Sequence, residues 1–256
     1  MLIIAGPCVY ENDEIAFKTC EFLKNLCSKY GFEYVYKTSY DKANRSSITS
    51  YRGPGIEKGV SFFERLKKEF EVKILTDFHS EQEAYLIKDY VDILQVPAFL
   101  CRQTDILKAA ALSGKIVNVK KGQFMAPWDM KNVVDKLKYF NAKDIMITER
   151  GYSFGYNNLV VDFRSFPIMK EFCDTVIFDV THSVQLPGGK GAASGGERRF
   201  APYLARGAVA CGVDGLFLEV HPDPDSALCD GPNMLDFKMT EELFEQVKKI
   251  QDALWI

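Results

Sequence analysis

Short runs of β-branched and other apolar residues recur along the chain, separated by stretches with helical spacing. The runs are Leu2–Ala5, Tyr34–Lys37, Lys73–Thr76, Ile93–Val96, Ile116–Lys120, Ile145–Thr148, Val176–Asp179 and Gly215–Val220. Apolar side chains run on through each rather than alternating with polar ones, as expected of strands buried on both faces. Between the runs, Ile15, Thr19, Phe22 and Leu26 share one helical face, and Leu243, Val247, Ile250 and Leu254 share another. Helices are also predicted over Val60–Phe70, Glu81–Asp89, Asp105–Ser113, Asp129–Tyr139, Phe166–Phe172 and Pro202–Cys211. Eight strand–helix units can close into a barrel or lie open as a doubly wound sheet. The open sheet usually carries a Gly-rich phosphate turn after its first strand, but here that strand ends in Gly6-Pro7-Cys8 with no GxGxxG. The pattern therefore predicts an α/β chain forming a single (β/α)8 TIM barrel over residues 1–256. No Pro/Gly/Ser-rich linker divides it.

Such barrels place their chemistry at the C-terminal strand ends. The residues there are Cys8, Lys37, Asp77 with His79, Gln95, Lys120, Arg150, His182, and Glu219 with His221. Loops are polar in any protein, so each residue alone says little. Eight consecutive strand ends that collect Cys, Lys, Gln, Arg and all three histidines of the chain point to a site.

Composition removes several classes of function. The net charge of −3 offers no basic field for nucleic acid or an anionic membrane, so positive charge aimed at a ligand must be local. No apolar stretch approaches the roughly 20 residues of a membrane span, and the opening MLIIAGPCVYE lacks the basic and long apolar regions of a signal peptide. Seven dispersed cysteines with no CxxC argue against a disulfide framework and for a reducing compartment, read as cytoplasm.

Two chemical themes remain. Cys8, His182, Glu219 and Asp230 follow strands one, seven and eight, which become neighbours when a barrel closes. A thiolate, an imidazole and two carboxylates suit a borderline divalent ion such as Zn²⁺, Fe²⁺, Mn²⁺ or Co²⁺. His79 and His221 are equally plausible ligands on this ground. Lys37, Lys42, Arg45, Arg102, Lys120, Lys121 and Arg150 lie in or beside the strand-end loops and could grip phosphate and carboxylate. Lys42–Ser47 reads as an anion loop. Gly188, Gly189, Gly191, Gly195 and Gly196 predict a mobile flap over Pro187–Arg199.

Ile4–Cys8, Lys37–Ser47, Tyr51–Gly55, Pro97–Asp105, Asn118–Phe124, Phe154–Asp162 and Asp179–Ser183 together resemble the 3-deoxy-manno-octulosonate 8-phosphate synthases, in order and over almost the whole chain. The resemblance implies condensation of phosphoenolpyruvate with arabinose 5-phosphate and water, releasing phosphate, on the way to the Kdo sugar of lipopolysaccharide. It implies that Lys42, Lys120 and Arg150, with Lys37, Gln95 and the backbone of Ala98, hold phosphoenolpyruvate. Asn44, Arg45 and Ser46 would take the sugar phosphate, with Arg102 arriving from a neighbouring subunit of a homotetramer, and Gln123 joins the substrate-binding set. Lys42, Lys120, His182 and Asp230 form the implied catalytic set, and Cys8, His182, Glu219 and Asp230 the implied metal ligands. Asp77, His79 and Glu219 remain as proton carriers. The family has a metal branch with Cys after the Gly-Pro and a metal-free branch with Asn there. Cys8 matches the former, while Cys229-Asp230-Gly231-Pro232 resembles the latter. Cys8 weighs more, because a thiolate coordinates where an amide is a poor substitute.

Two other functions compete. The related 3-deoxy-arabino-heptulosonate 7-phosphate synthases use erythrose 4-phosphate and carry a Lys-Pro-Arg-Thr type segment where this chain has Lys42-Ala43-Asn44-Arg45-Ser46-Ser47. A non-catalytic barrel that senses a phosphorylated metabolite would need the phosphate donors but not the metal set.

Overall fold

The computed structural model describes residues 1–189 and 195–254. Eight parallel strands form a closed barrel: β1 (Leu2–Gly6), β2 (Glu33–Lys37), β3 (Lys73–Asp77), β4 (Ile93–Val96), β5 (Ile116–Lys120), β6 (Ile145–Glu149), β7 (Thr175–Asp179) and β8 (Gly215–Glu219). Each strand pairs with its chain neighbours, and β1 closes on β8 from Leu2↔Gly215 to Gly6↔Glu219. The helices are α1 (Asp13–Tyr30), α2 (Ile56–Phe70), α3 (Glu81–Ile87), α4 (Thr104–Leu112), α5 (Met130–Tyr139), α6 (Ser165–Lys170), α7 (Ala201–Ala210) and α8 (Phe237–Leu254). Every strand and helix predicted from the apolar pattern is present, with ends shifted by a few residues. No helix among the described residues is long and apolar enough to cross a membrane, and all seven cysteines are free.

The strand period of two sorts the side chains. One set, including Ile3, Ala5, Tyr36, Ile74 and Leu94, packs outward beneath the helices. The other points inward, where Ile4, Val35, Leu75, Ile93, Ile177 and Phe217 fill the barrel with Leu2, Ile116 and Met146. Two residues further along each strand the inward positions become Gly6, Lys37, Asp77, Gln95, Asn118, Thr148, Asp179 and Glu219. Seven side chains that bond or ionise therefore lie on an apolar plug, with a gap at Gly6. Lys120 stands one inward position higher on β5.

Local signals terminate the helices. Asn12 accepts from the Ile15 N–H at 3.0 Å to start α1, and Gly31 ends it at φ 68°, a left-handed position that glycine takes without strain. Two antiparallel ribbons absent from the sequence reading lie in the β6–α6 and β7–α7 connections: Tyr152–Ser153 with Leu159–Val160, and Gln185–Leu186 with Gly195–Gly196. Two-residue strands carry too few positions for a period to show. The second ribbon takes Gly195 and Gly196 out of the segment predicted as a flap, of which residues 190–194, Gly191 included, lie outside the described residues.

Candidate active site

The polar layer is a lattice of buried charges. Lys37 Nζ donates to Glu219 Oε1 at 2.8 Å and to the Cys8 carbonyl at 3.0 Å, with both side chains of the pair sealed from solvent. Lys42 reaches the same Glu219 oxygen at 3.4 Å. Lys120 pairs with Asp179, whose carboxylate also accepts from His182 Nδ1 at 2.8 Å and from the His182 backbone N–H at 2.9 Å. Lys120 Nζ also stands 3.1 Å from the Phe217 ring centre, a cation–π contact on the apolar plug. Asn118 links the layer sideways, donating to Gln95 at 3.0 Å and accepting from Thr148 at 2.7 Å.

Burial and these partners reset the protonation states. Burial, only partly offset by Asp179, lowers Lys120 to about 8. Burial opposes charge on Glu219 too, but His182, Lys37 and Lys42 hold it well below the usual carboxylate range. Burial likewise works against protonation of His182, and Asp179 and Glu219 outweigh it, raising the imidazole above its ordinary value. Next door, His79 bridges Asp77 at 3.2 Å and Glu83 at 3.1 Å. Despite its burial, those carboxylates lift it to about 10.

Buried ion pairs of this kind are poor sources of stability, because desolvation cancels most of the attraction. Their clustering at one end of a barrel reads instead as a site prepared for charged ligands. Lys37, Lys42, Asp77, His79, Lys120, Asp179 and His182 line a cavity of about 460 Å³ together with Asn44, Arg45, Ser46, Ala98, Gln123 and Arg150, while Glu219 is fully buried. Two of its guanidinium nitrogens, Arg150 Nη1 and Arg45 Nε, are buried with no partner among the described residues. Donors left over in this way mark where anionic oxygens can bind. Arg150 is steadied by Gln185, which accepts from Nη2 at 2.9 Å and itself donates to Asp230 at 3.3 Å. The loop with Asn44, Arg45 and Ser46 is braced at its base, where the Lys42 N–H donates to the Arg52 carbonyl at 2.6 Å and Arg52 Nε to Asp41 at 2.8 Å.

At one corner of the cavity, where His182 and Asp230 line the wall, these two lie with the buried Glu219 and Cys8 in a donor set that could hold a metal ion. His182 Nε2 lies 3.4 Å from Glu219 Oε2 and 3.7 Å from Asp230 Oδ2, and Cys8 Sγ lies 3.7 Å from that Asp230 oxygen. Glu219 Oε2 is buried and makes no hydrogen bond. A carboxylate oxygen of this kind, stripped of water beside an imidazole and a second carboxylate, fits a divalent cation. Burial, reinforced by Cys229, pushes the Cys8 thiol well above its ordinary value, so thiolate forms there only with a compensating cation. Asp230 adopts left-handed backbone at φ 50°, where Asp is tolerated better than most residues, and so turns its carboxylate into the corner.

Three residues named from the sequence lie elsewhere. Lys121 points out of the barrel, sealed against Glu149 at 3.4 Å and over the Tyr152 ring at 3.7 Å, since adjacent strand-end residues alternate in direction. His221 is turned away from this corner by its own partners, not by strand alternation, since two positions beyond Glu219 it would otherwise share that residue's side. It accepts from the Asp223 N–H at 3.0 Å and faces Glu11 at 3.7 Å. Arg102 is exposed and does not line the cavity of its own chain. His79 does reach the cavity wall but is held by Asp77 and Glu83, away from the donor corner. Conversely, the sequence reading assigned no role to Asp179, Gln185 or Phe217. Only Asp179 had a usable signal, as the last residue of a strand three places before His182.

A family model for the DAHP synthetase I family matches residues 1–255, and the chain belongs to that family. Within it, the chain is 53% identical over 253 residues to a 2-dehydro-3-deoxyphosphooctonate aldolase of Legionella pneumophila, spanning 99% of this chain and 92% of the relative. Proteins of the same name from Geobacter sp. (52% over 254 residues, 99% and 93%) and Cyanothece sp. (52% over 252 residues, 98% and 92%) are similarly close.

Proposed function

We propose that this chain condenses phosphoenolpyruvate with arabinose 5-phosphate and water to give 3-deoxy-manno-octulosonate 8-phosphate and phosphate. The observation that carries the reading is a cavity with anion donors in two places, at the barrel floor and in the Lys42–Ser46 loop, in a chain about half identical to named octulosonate enzymes over their length. Two phosphorylated substrates need two such places.

The residues divide the work. Lys37, Lys42, Lys120 and Arg150, with Gln95 and the Ala98 backbone, orient the phosphate and carboxylate of phosphoenolpyruvate. Binding two anions there replaces the charge partners these cations otherwise find in Asp179 and Glu219. Asn44, Arg45, Ser46 and Gln123 take the aldose phosphate and chain. Carbon 3 of the enol is thereby directed at the aldehyde while water adds at carbon 2, and the hemiketal expels phosphate. Asp179 holds His182 so that Nε2 faces the cavity corner. Cys8, His182, Glu219 and Asp230 would hold a divalent ion, Zn²⁺, Fe²⁺, Mn²⁺ or Co²⁺. When bound, the ion supplies Lewis acidity towards an aldehyde or water oxygen. Asp77, His79 and Glu219 are the nearby groups able to carry protons.

Arg102, exposed on its own chain, would reach a neighbour's sugar-phosphate loop in a homotetramer. The reading places the enzyme in the cytoplasm, on the route to the Kdo sugar of lipopolysaccharide, with the whole chain acting as one catalytic barrel. The test is phosphate release from phosphoenolpyruvate with each aldose offered separately. Arabinose 5-phosphate should support turnover far better than erythrose 4-phosphate. Equal rates, or preference for the shorter sugar, would overturn the assignment, and no release with either would favour a binding protein.

A further inference from the structure

Cys229 has no part in the set just described, yet its sulfur lies 2.9 Å from that of Cys8, and both side chains are buried. A buried cysteine is usually a small apolar filler. Cys229 has different company. Arg45 Nη1 stands 2.9 Å from its sulfur and 3.3 Å from Asp230 Oδ1, so a guanidinium spans the sulfur and the neighbouring carboxylate. Donor atoms of Cys8, Cys229 and Asp230 all lie within 4.8 Å of one another, and those of His182, Glu219 and Asp230 do likewise. Asp230 belongs to both groups.

We propose that Cys229 supplies a second thiolate to the divalent ion held with Cys8, His182, Glu219 and Asp230, biasing the site towards thiophilic ions such as Zn²⁺ over Mn²⁺. The inference rests on the metal reading above. Soft sulfur ligands select zinc-like ions, whereas manganese favours oxygen donors.

The test titrates metal-free protein with Co²⁺ and reads the sulfur-to-cobalt charge-transfer absorbance per bound ion, with binding counted by equilibrium dialysis. Cys229→Ser should retain bound cobalt but show about half the wild-type intensity. Its preference for Zn²⁺ over Mn²⁺ should fall by on the order of tenfold or more. Because Cys229 is buried and the variant could misfold, ¹¹³Cd NMR of the unaltered protein gives a second measure, with a shift characteristic of two sulfur ligands expected. The proposal falls if Cys229→Ser matches the wild-type intensity while Cys8→Ser loses all of it, or if the ¹¹³Cd shift reports one sulfur. Wild-type protein that binds no cobalt at all would overturn the metal reading and this inference with it.

Discussion

Lys120 illustrates how one residue gains its chemistry from position. On the outside of the protein it would be an ordinary solvated cation; above the Phe217 ring and against Asp179 it is lowered to about 8. In the proposed reaction the charged form is the one that would bind phosphoenolpyruvate. The kcat/KM for that substrate should therefore fall as pH rises through about 8, because the free enzyme loses the charge. Lys120→Arg should abolish that alkaline limb while lowering activity, since guanidinium stays protonated. An unchanged limb in the variant would assign it to another group. Lys120→Met should cost on the order of 10²–10³-fold in turnover, as removal of one preorganised charge donor does elsewhere. At the donor corner, chelation should abolish activity, and Mn²⁺, Co²⁺, Fe²⁺ or Zn²⁺ should restore it to differing degrees. His182→Ala should bind little metal. Full activity in protein shown by elemental analysis to be metal-free would refute the metal assignment.

Between elements, the tightest constraints are steric and ionic. A Cβ on Gly6 would lie 2.1 Å from the Lys37 carbonyl oxygen, whereas one on Gly31 would meet nothing within 4 Å. Gly6→Ala must therefore part β1 from β2 and should cost about 3 kcal/mol or more by urea unfolding. Gly31→Ala meets only the strain of its left-handed backbone, roughly 1 kcal/mol. Equal costs would mean that the β1–β2 contact is not the limiting one. The His79 bridge ties the end of β3 to α3 through Asp77 and Glu83. Its pKa is raised to about 10 from an ordinary 6.5. The native state thus holds a proton that the unfolded chain gives up between those values. The stabilisation is complete below about 6.5 and is lost as pH rises through about 10. Wild-type stability should fall across that window by up to ~1.4 kcal/mol per pH unit relative to His79→Gln. Parallel pH profiles for the two proteins would show that the bridge carries no such linkage.

At the scale of the whole molecule, the rim beside β4 to β6 exposes Phe99, Phe124 and Phe154, a larger apolar showing than a solvated loop needs. A neighbour packed there would bring Arg102 of one chain towards the sugar-phosphate loop of the next. Arg102→Ala should then weaken arabinose 5-phosphate binding by roughly 2–5 kcal/mol, with phosphoenolpyruvate affected much less. Light scattering should give a tetramer. Mixing Arg102→Ala with inactive Lys120→Ala chains should regenerate activity in hybrid oligomers. Subunits that exchange without any such rescue would confine Arg102 to its own chain.

The apolar runs were sufficient for eight strands and eight helices, because burying both faces of a strand leaves a strong local signal, and the absence of a Gly-rich turn after the first strand favoured barrel closure over an open sheet. Strand ends and family-like strings also named Lys37, Lys42, Gln95, Lys120, Arg150 and the Cys8–His182–Glu219–Asp230 set without coordinates. Direction was not legible there: Lys120 and Lys121 are neighbours in sequence, yet one enters the cavity and the other is buried against Glu149. Nor could spacing tell His221, which faces Glu11, from His182, which faces the cavity corner. The contact of Cys8 with Cys229 spans 221 positions and exists only because the barrel closes. Local periodicity encodes which residues are buried, but which charges meet depends on strand register and loop path, and these are set by packing across the whole chain.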